Sequence, residues 1–236
     1  MSHPTLDQAR LRGIIFDLDG TLIDSYDAIA DSLNTALGGL SRGPLPVEQV
    51  RSMVGRGLET LIEQALGGPE GGATPDAVAQ AVLIFRRRYD LICVEQTTLL
   101  PGVGATLTTL HGRGYRMCVA TNKPSYFAKR LLDALSVGGL FDTVLGPDLV
   151  EYPKPHPAMV KAAMQAMRLT QRETLYVGDM EIDVQTARAA GLAVIVMPTG
   201  SRDAETLRRA GADLVVSDFS SLLEWLPGPS AESRHV

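Results

Sequence analysis

Cysteines and long basic runs are scarce in this 236-residue chain, and each scarcity excludes a class of protein. Two cysteines, Cys93 and Cys118, are too few for a disulfide framework, and their spacing matches no zinc site. The longest basic run is the three arginines at residues 86–88, and the formal net charge is −5. A nucleic-acid partner is therefore not expected, because nucleic-acid-binding surfaces concentrate positive charge.

The apolar segments are also short. None reaches the roughly 18 residues of a membrane-spanning helix, and the polar residues 1–10 lack the apolar centre of a signal peptide. Hydrophobic residues make up 45% of the chain and charged residues 21%, as in folded globular proteins and unlike disordered ones. We expect a cytoplasmic protein without a membrane partner.

Short apolar runs rich in β-branched residues alternate with stretches of helical period along most of the chain. Because a parallel sheet covered by helices on both faces produces such apolar strands, the alternation predicts a doubly wound α/β fold. The predicted strands are residues 13–16, 115–120, 143–145, 174–177, 193–197 and 214–216. The helices predicted between them are residues 103–111, 126–137, 157–168 and 182–190.

One interval, residues 24–97, breaks this alternation because no strand-like run occurs in it. The sequence therefore predicts two units, an α/β core made of residues 1–23 and 98–236 and an inserted α-helical cap made of residues 24–97. The helices predicted in the cap are residues 25–37, 47–54, 58–66 and 75–94.

Two acidic residues, Asp17 and Asp19, follow the first predicted strand where it ends. In open α/β sheets, ligands bind at the carboxyl ends of the strands, so the pair lies where a site is expected. A capping aspartate in a turn would explain one of these acids but not both. The pair is therefore a candidate site and not only a turn.

Other polar residues are predicted at the same edge of the sheet. Thr121 and Asn122 follow the strand that ends near residue 120, and Asp179 follows the strand that ends near residue 177, with Asp183 four residues on. Lys154 lies between two prolines just before a predicted helix. Alone, this lysine would be interpreted as an exposed loop residue, but the assembled set favours a site.

The chemistry of this set follows from its charge. Several carboxylates that converge on one lysine repel each other unless a cation is present, and oxygen ligands without clustered histidine or cysteine suit Mg²⁺. Magnesium and lysine together neutralise a phosphoryl group, and an aspartate can attack phosphorus to form an aspartyl-phosphate. A second acid can protonate the leaving oxygen. The residues thus predict magnesium-dependent phosphoryl transfer.

These motifs, in this order, resemble the four motifs of the haloacid dehalogenase-like hydrolase superfamily. They are residues 17–21, Thr121, Lys154 and residues 178–183. The resemblance extends over residues 12–225, and the helical interval is similar to the family's first class of cap. It implies a Rossmann-like core with an inserted helical cap.

The resemblance implies a role for each matched residue. Asp17 would be the nucleophile and Asp19 the general acid and base. Thr121 would donate a hydrogen bond to the transferred phosphoryl group. Lys154 would stabilise the charge of that group and orient the nucleophile.

The resemblance also implies a metal site. Asp179 would bind Mg²⁺ together with Asp17 and the backbone carbonyl of Asp19, and Asp183 would support the metal waters or the lysine from outside the ligand shell. The chain departs from many relatives at Met180, where a small hydroxyl residue is common. This departure puts one polar contact near the metal in doubt.

Local residues favour one branch of the family. Asp19 points to phosphoryl transfer, because the dehalogenase branch lacks this acid. No lysine precedes Lys123, whereas the phosphonatase branch needs a cap lysine, and Asn122 stands where phosphoglucomutases usually have serine. Segments at residues 54–58, 121–124 and 154–157 resemble bacterial phosphoglycolate phosphatases. The resemblance implies hydrolysis of 2-phosphoglycolate, with Asn122 among the substrate-binding residues.

Arg56 is the cap residue with a predicted role in substrate binding. It lies between two glycines in a loop between predicted helices, and its guanidinium could pair with a small carboxylate such as that of glycolate. The alternative is that the two glycines only shape the loop and Arg56 faces water.

Other functions remain open from the sequence. The substrate could be another small phosphorylated metabolite, such as a sugar phosphate, pyrophosphate or a nucleotide, or the enzyme could be a phosphomutase. A receiver domain also holds an aspartyl-phosphate with acids, a threonine and a lysine, but receiver domains are shorter and lack a helical insert. The sequence leaves both a monomer and a homodimer open.

Overall fold

The computed structural model of the protein describes residues 7–227. Within this part, the chain divides into two compact units. One unit ends at Leu22 and resumes at Leu99, and the other spans Ile23–Thr98. That the second unit acts as a cap stays a prediction.

The first unit is built on a six-stranded sheet in which every neighbouring pair of strands is parallel. Its strands are β1 (Gly13–Phe16), β4 (Arg116–Ala120), β5 (Thr143–Leu145), β6 (Thr174–Gly178), β7 (Ala193–Val196) and β8 (Leu214–Val215). The sheet order is β5-β4-β1-β6-β7-β8, as in a doubly wound fold.

Helices connect these strands, and all four helices predicted in the core are present. The helix predicted at residues 126–137 ends earlier, at Ala134. It cannot extend to residue 137, because Ser136 has a positive φ of 60°, which is incompatible with a right-handed helix. Two short helices at the end of the unit were not predicted. The helices are α5 (Val103–Gly112), α6 (Ser125–Ala134), α7 (Ala158–Met167), α8 (Glu181–Ala190), α9 (Ala204–Arg209) and α10 (Leu222–Trp225).

The register of the sheet aligns the carboxyl ends of its central strands. Phe16 of β1 lies beside Val119 of β4 and Val177 of β6. Because β1 is central and buried along its whole length, its carboxyl end can carry polar side chains only where they are paired or bind a ligand. The residues that follow β1, β4 and β6 therefore lie at one edge of the sheet.

The second unit consists of four helices whose apolar faces pack on each other. The first helix packs mainly against the last. A bidentate ion pair joins them, in which Arg88 contacts Asp31 with N–O distances of 2.7 and 2.9 Å. None of the described helices is long and apolar enough to cross a membrane. The helices are α1 (Tyr26–Gly39), α2 (Val47–Met53), α3 (Leu58–Ala65) and α4 (Pro75–Ile92).

Two short strands at the ends of the helical interval were not predicted. They are β2 (Ile23–Asp24) and β3 (Thr98–Leu99), which pair as a two-stranded sheet. Two residues are too few to produce a recognisable alternation of apolar and polar side chains. Their pairing depends on the return of the chain after four helices.

We expect Leu175→Ala to destabilise the core far more than Leu149→Ala, although both remove the same atoms. Leu175 lies on β6 and is fully buried, so its loss should lower the free energy of unfolding by about 2–5 kcal/mol. Leu149 is 50% exposed, and its loss should change that free energy by no more than about 0.5 kcal/mol. Urea unfolding measures both, and equal losses would contradict this description of the core.

Candidate functional site

The candidate site begins one residue beyond the strands, where the hydrogen-bond ladder of the sheet still holds the backbone. The amide of Asp17 donates to the carbonyl of Val177 at 2.9 Å, and the amide of Thr121 donates to the carbonyl of Leu145 at 3.1 Å. Both residues are therefore fixed by main-chain contacts across strands. The structure brings together Asp17 and Asp179 from strands that are distant in the chain.

Lys154 is the centre of the site. Its Nζ lies 2.7 Å from Oδ1 of Asp17 and 2.8 Å from Oδ1 of Asp183, and it is within 3.3 Å of the hydroxyl of Tyr176. The side chain is 1% exposed. Burial acts to lower the pKa of Lys154, but the carboxylates, Asp17 first, outweigh it and hold that pKa well above its usual range. The ammonium is thus a permanent charge between two carboxylates.

Asn122 holds the backbone of Lys154 in place. Its Nδ2 donates to the carbonyl of Lys154 at 3.2 Å, and its Oδ1 accepts from the amide of Lys154 at 3.0 Å. This double contact explains how a lysine in a loop can be aimed into a buried site. The role of Asn122 in binding substrate stays a prediction.

Asp183 connects the lysine to the start of α8. Its Oδ2 accepts hydrogen bonds from the amides of Asp179 and Met180, at 3.1 and 3.0 Å, while its Oδ1 faces Lys154. The carboxyl group lies so close to Gly178 that a Cβ added there would be 2.5 Å from it. The glycine at the end of β6 is therefore required for this approach.

Asp179 presents one buried oxygen that lacks a hydrogen-bond donor. Thr21 Oγ1 donates to Oδ1 of Asp179 at 2.7 Å, but Oδ2, although buried, has no hydrogen-bond partner. Burial first, and then repulsion from Asp183 and Asp17, raises the pKa of Asp179 well above its usual range. Such an acceptor is stable as a carboxylate only beside a cation.

The carboxylates of Asp17, Asp179 and Asp183 meet in one cluster, with an oxygen from each lying within 4.8 Å of the others. Burial raises the pKa of Asp17 to about 7, against the opposing effect of Lys154. Clustered carboxylate oxygens are the ligands that hard divalent cations prefer. The donor set of this chain therefore fits a divalent metal ion.

A second lysine in the site had no predicted role. Lys123 Nζ lies 3.0 Å from Oδ1 of Asp19, and their side chains are only 7% and 11% exposed. The amide of Lys123 donates to Oγ1 of Thr121 at 3.1 Å. Its position two residues after Thr121, just beyond a strand end, could have indicated a site residue. Its partner could not be inferred from the sequence.

Arg56 lies in the second unit, in the loop between α2 and α3, and is exposed. The glycines on either side have φ angles of 127° and 95°, in the region that residues with a Cβ avoid. The glycines thus shape the loop, which both interpretations of Arg56 allow. The contact of Arg56 with a substrate stays a prediction.

The model of the haloacid dehalogenase-like hydrolase family matches residues 14–197, which include every candidate residue of both units. The chain belongs to the haloacid dehalogenase-like hydrolase family. The resemblance drawn from the motifs is confirmed, and so is the fold class predicted from the alternation of strands and helices. Membership also decides between an enzyme and a receiver domain in favour of the enzyme.

Members of the family that resemble this chain share most of its length. A phosphoglycolate phosphatase of Pseudomonas putida is 37% identical over 221 residues, which are 93% of this chain and 81% of the relative. One of Photorhabdus laumondii is 35% identical over 229 residues, 96% of this chain and 97% of the relative.

A solved structure has the same fold. The crystal structure of a predicted phosphoglycolate phosphatase from Haemophilus somnus superposes with a TM-score of 0.84 at 29% identity. The match covers 91% of this chain and 97% of that chain. The doubly wound core with an inserted helical unit is thus shared with a solved protein.

In this haloacid dehalogenase-like hydrolase, we expect a divalent cation to stabilise the fold more at about pH 8 than at about pH 5.5. The pKa of Asp17 is raised from 3.8 to about 7 in the folded protein. Without a cation, the folded state therefore binds more protons than the unfolded chain between these values, and stability falls as the pH rises through this window. Above it, no proton competes with the cation for Asp17.

Thermal unfolding with MgCl₂ and with EDTA measures this difference. A cation at about 100 times its Kd stabilises by about 2.7 kcal/mol, which shifts the melting temperature by several degrees. Asp179→Asn should remove most of this shift, whereas Asp76→Asn, an exposed residue of α4, should leave it intact. A shift that is equal at both pH values would contradict the role of the carboxylate cluster.

Proposed function

We propose that this protein is a magnesium-dependent phosphomonoester hydrolase that acts through an aspartyl-phosphate on Asp17, with 2-phosphoglycolate as its substrate. The observation that carries the proposal is the buried contact of 2.7 Å between Asp17 and Lys154. A carboxylate held by a permanent ammonium at a strand end is oriented for attack. The names of the relatives from P. putida and P. laumondii support the choice of substrate.

The reaction proceeds in two steps. In the first, an oxygen of Asp17 bonds to phosphorus as the bond from phosphorus to the leaving oxygen breaks, and Asp19 gives its proton to that oxygen. Glycolate then departs. In the second step, water attacks the phosphorus of the aspartyl-phosphate as the bond from phosphorus to the Asp17 oxygen breaks, Asp19 takes a proton from the water, and phosphate leaves. Both aspartates return to their starting states.

The charge of the phosphoryl group is met by residues that surround Asp17. Lys154 faces the nucleophile and neutralises part of this charge, and Thr121 donates its hydroxyl hydrogen to a phosphoryl oxygen. Asp17, Asp179 and the backbone carbonyl of Asp19 would hold Mg²⁺, which when bound neutralises phosphoryl oxygens. Asp183 supports this arrangement through Lys154 and the amides at the start of α8.

The carboxylate of the substrate requires a cation of its own. Arg56 is proposed for this role, because a guanidinium pairs with a carboxylate through two parallel hydrogen bonds. The flanking glycines allow its loop a backbone conformation that other residues disfavour. As the proposed cap, the second unit would then supply the residue that selects the phosphomonoester.

We expect Asp17→Asn to lower turnover by at least about 10⁴-fold, because the amide cannot attack phosphorus. Thermal unfolding should show that the variant remains folded, since burying a neutral amide costs less than burying a carboxylate. Phosphate release with magnesium measures the activity, and Asp76→Asn serves as the matched control. Retained turnover in Asp17→Asn would rule out the covalent mechanism.

Arg56→Ala should raise the KM for 2-phosphoglycolate by roughly 10-fold or more, with a smaller effect on an uncharged alkyl phosphate. Arg87→Ala, an exposed arginine of α4, is the control and should change neither value. A panel of phosphate-release assays with 2-phosphoglycolate, sugar phosphates, pyrophosphate and nucleotides tests the substrate. Release from 2-phosphoglycolate no faster than from sugar phosphates would overturn this choice.

A further inference from the structure

The site contains two buried lysines, and the ion pairs of one involve other carboxylates than the ion pair of the other. Lys154 faces Asp17 and Asp183, whereas Lys123 faces Asp19. With all four aspartates ionised, Asp179 being the fourth, they and the two lysines carry a net charge of −2, which one divalent cation neutralises. The second ion pair is therefore part of the charge balance of the site and is separate from the nucleophile.

Both ends of the pair between Lys123 and Asp19 are attached to fixed backbone. The amide of Lys123 is bound by Oγ1 of Thr121 at 3.1 Å. Ser125, two residues after Lys123, donates hydrogen bonds to Asp148 from its amide at 2.8 Å and from its hydroxyl at 2.5 Å. These two contacts anchor the start of α6.

The other end of the pair is held as firmly. Gly20, next to Asp19, has a positive φ of 82°, and its carbonyl accepts a hydrogen bond of 2.6 Å from Thr199 Oγ1. A turn that only glycine adopts easily is thus tied to the loop after β7. The ammonium and the carboxylate therefore meet because the folded backbone brings them together, and not because two long surface side chains find each other.

We propose that Lys123 is a positioning residue for the acid–base step, and this inference rests on the proposed function. Its ammonium holds the carboxyl group of Asp19 in one orientation while that group gives its proton to the leaving oxygen and later takes one from water. As the proton leaves, negative charge develops on Asp19 beside the ammonium. Misplacement of a proton donor by about 1 Å lowers its effect by about 10²-fold.

The need for a proton on the leaving oxygen depends on the substrate. An alcohol leaves poorly unless it is protonated, whereas p-nitrophenol leaves readily as its anion. A residue that positions Asp19 must therefore matter more for alkyl phosphates than for p-nitrophenyl phosphate. A residue that only supports the fold, or that binds the phosphoryl group, must matter equally for both.

The experiment compares Lys123→Met, Lys123→Arg and the wild-type protein on 2-phosphoglycolate, ethyl phosphate and p-nitrophenyl phosphate, all with magnesium. Lys123→Met should lower kcat/KM, which reports the first step, for both alkyl phosphates by about 10²-fold and for p-nitrophenyl phosphate by about threefold or less. Lys123→Arg, which keeps a cation, should restore most of the loss. Lys161→Met, an exposed lysine of α7, is the matched control and should behave as the wild type.

Each other outcome overturns the inference. Equal losses on the three substrates would indicate a structural role or a contact with the phosphoryl group. A loss confined to the KM for 2-phosphoglycolate would indicate that Lys123 binds the substrate's carboxylate. If Lys123→Met does not fold, as judged by thermal unfolding, the same comparison is made with Lys123→Gln. A wild-type protein that hydrolyses none of the three esters would overturn the proposed function itself.

Discussion

The buried ammonium of Lys154 between Asp17 and Asp183 is the interaction on which the rest of the site depends. Removing these charges from water is costly, and the cost is offset only when each charge finds a partner in good geometry. Asn122 therefore holds the lysine's backbone, and Tyr176 contributes a hydroxyl beside its ammonium. Loss of the ammonium would leave two buried carboxylates without their cation, which explains why so many polar contacts of the core converge on one side chain.

The same constraint accounts for the acidity of the site. Burial and repulsion between the carboxylates raise the pKa of Asp17 to about 7 and that of Asp179 well above its usual range, because ionising the whole cluster creates more negative charge than its lysines can neutralise. A divalent cation relieves this excess, and an anionic substrate then meets a nearly neutral site. An acidic protein with a net charge of −5 can thus bind an anion without a basic surface.

Much of the fold could be predicted because strands buried on both faces have a distinctive composition. The bounds of β1 and β5 agree with the prediction, and the other strands of the main sheet differ by one residue at one end. Four short elements were not predicted, because they have too few side chains to define a period and lack the continuous apolar run of a buried strand. They are β2, β3, α9 and α10.

By itself, the sequence determined the alternation of elements, the helical interval and the polar residues at the strand ends, because these depend on residues near each other in the chain. Only the tertiary structure decided which of those residues meet. Thr21 reaches Asp179, which lies 158 residues away, and Lys123 reaches Asp19, which follows a strand distant in the chain. Such pairs depend on the order and register of the parallel strands, and that order results from the packing of the whole core and not from any local pattern.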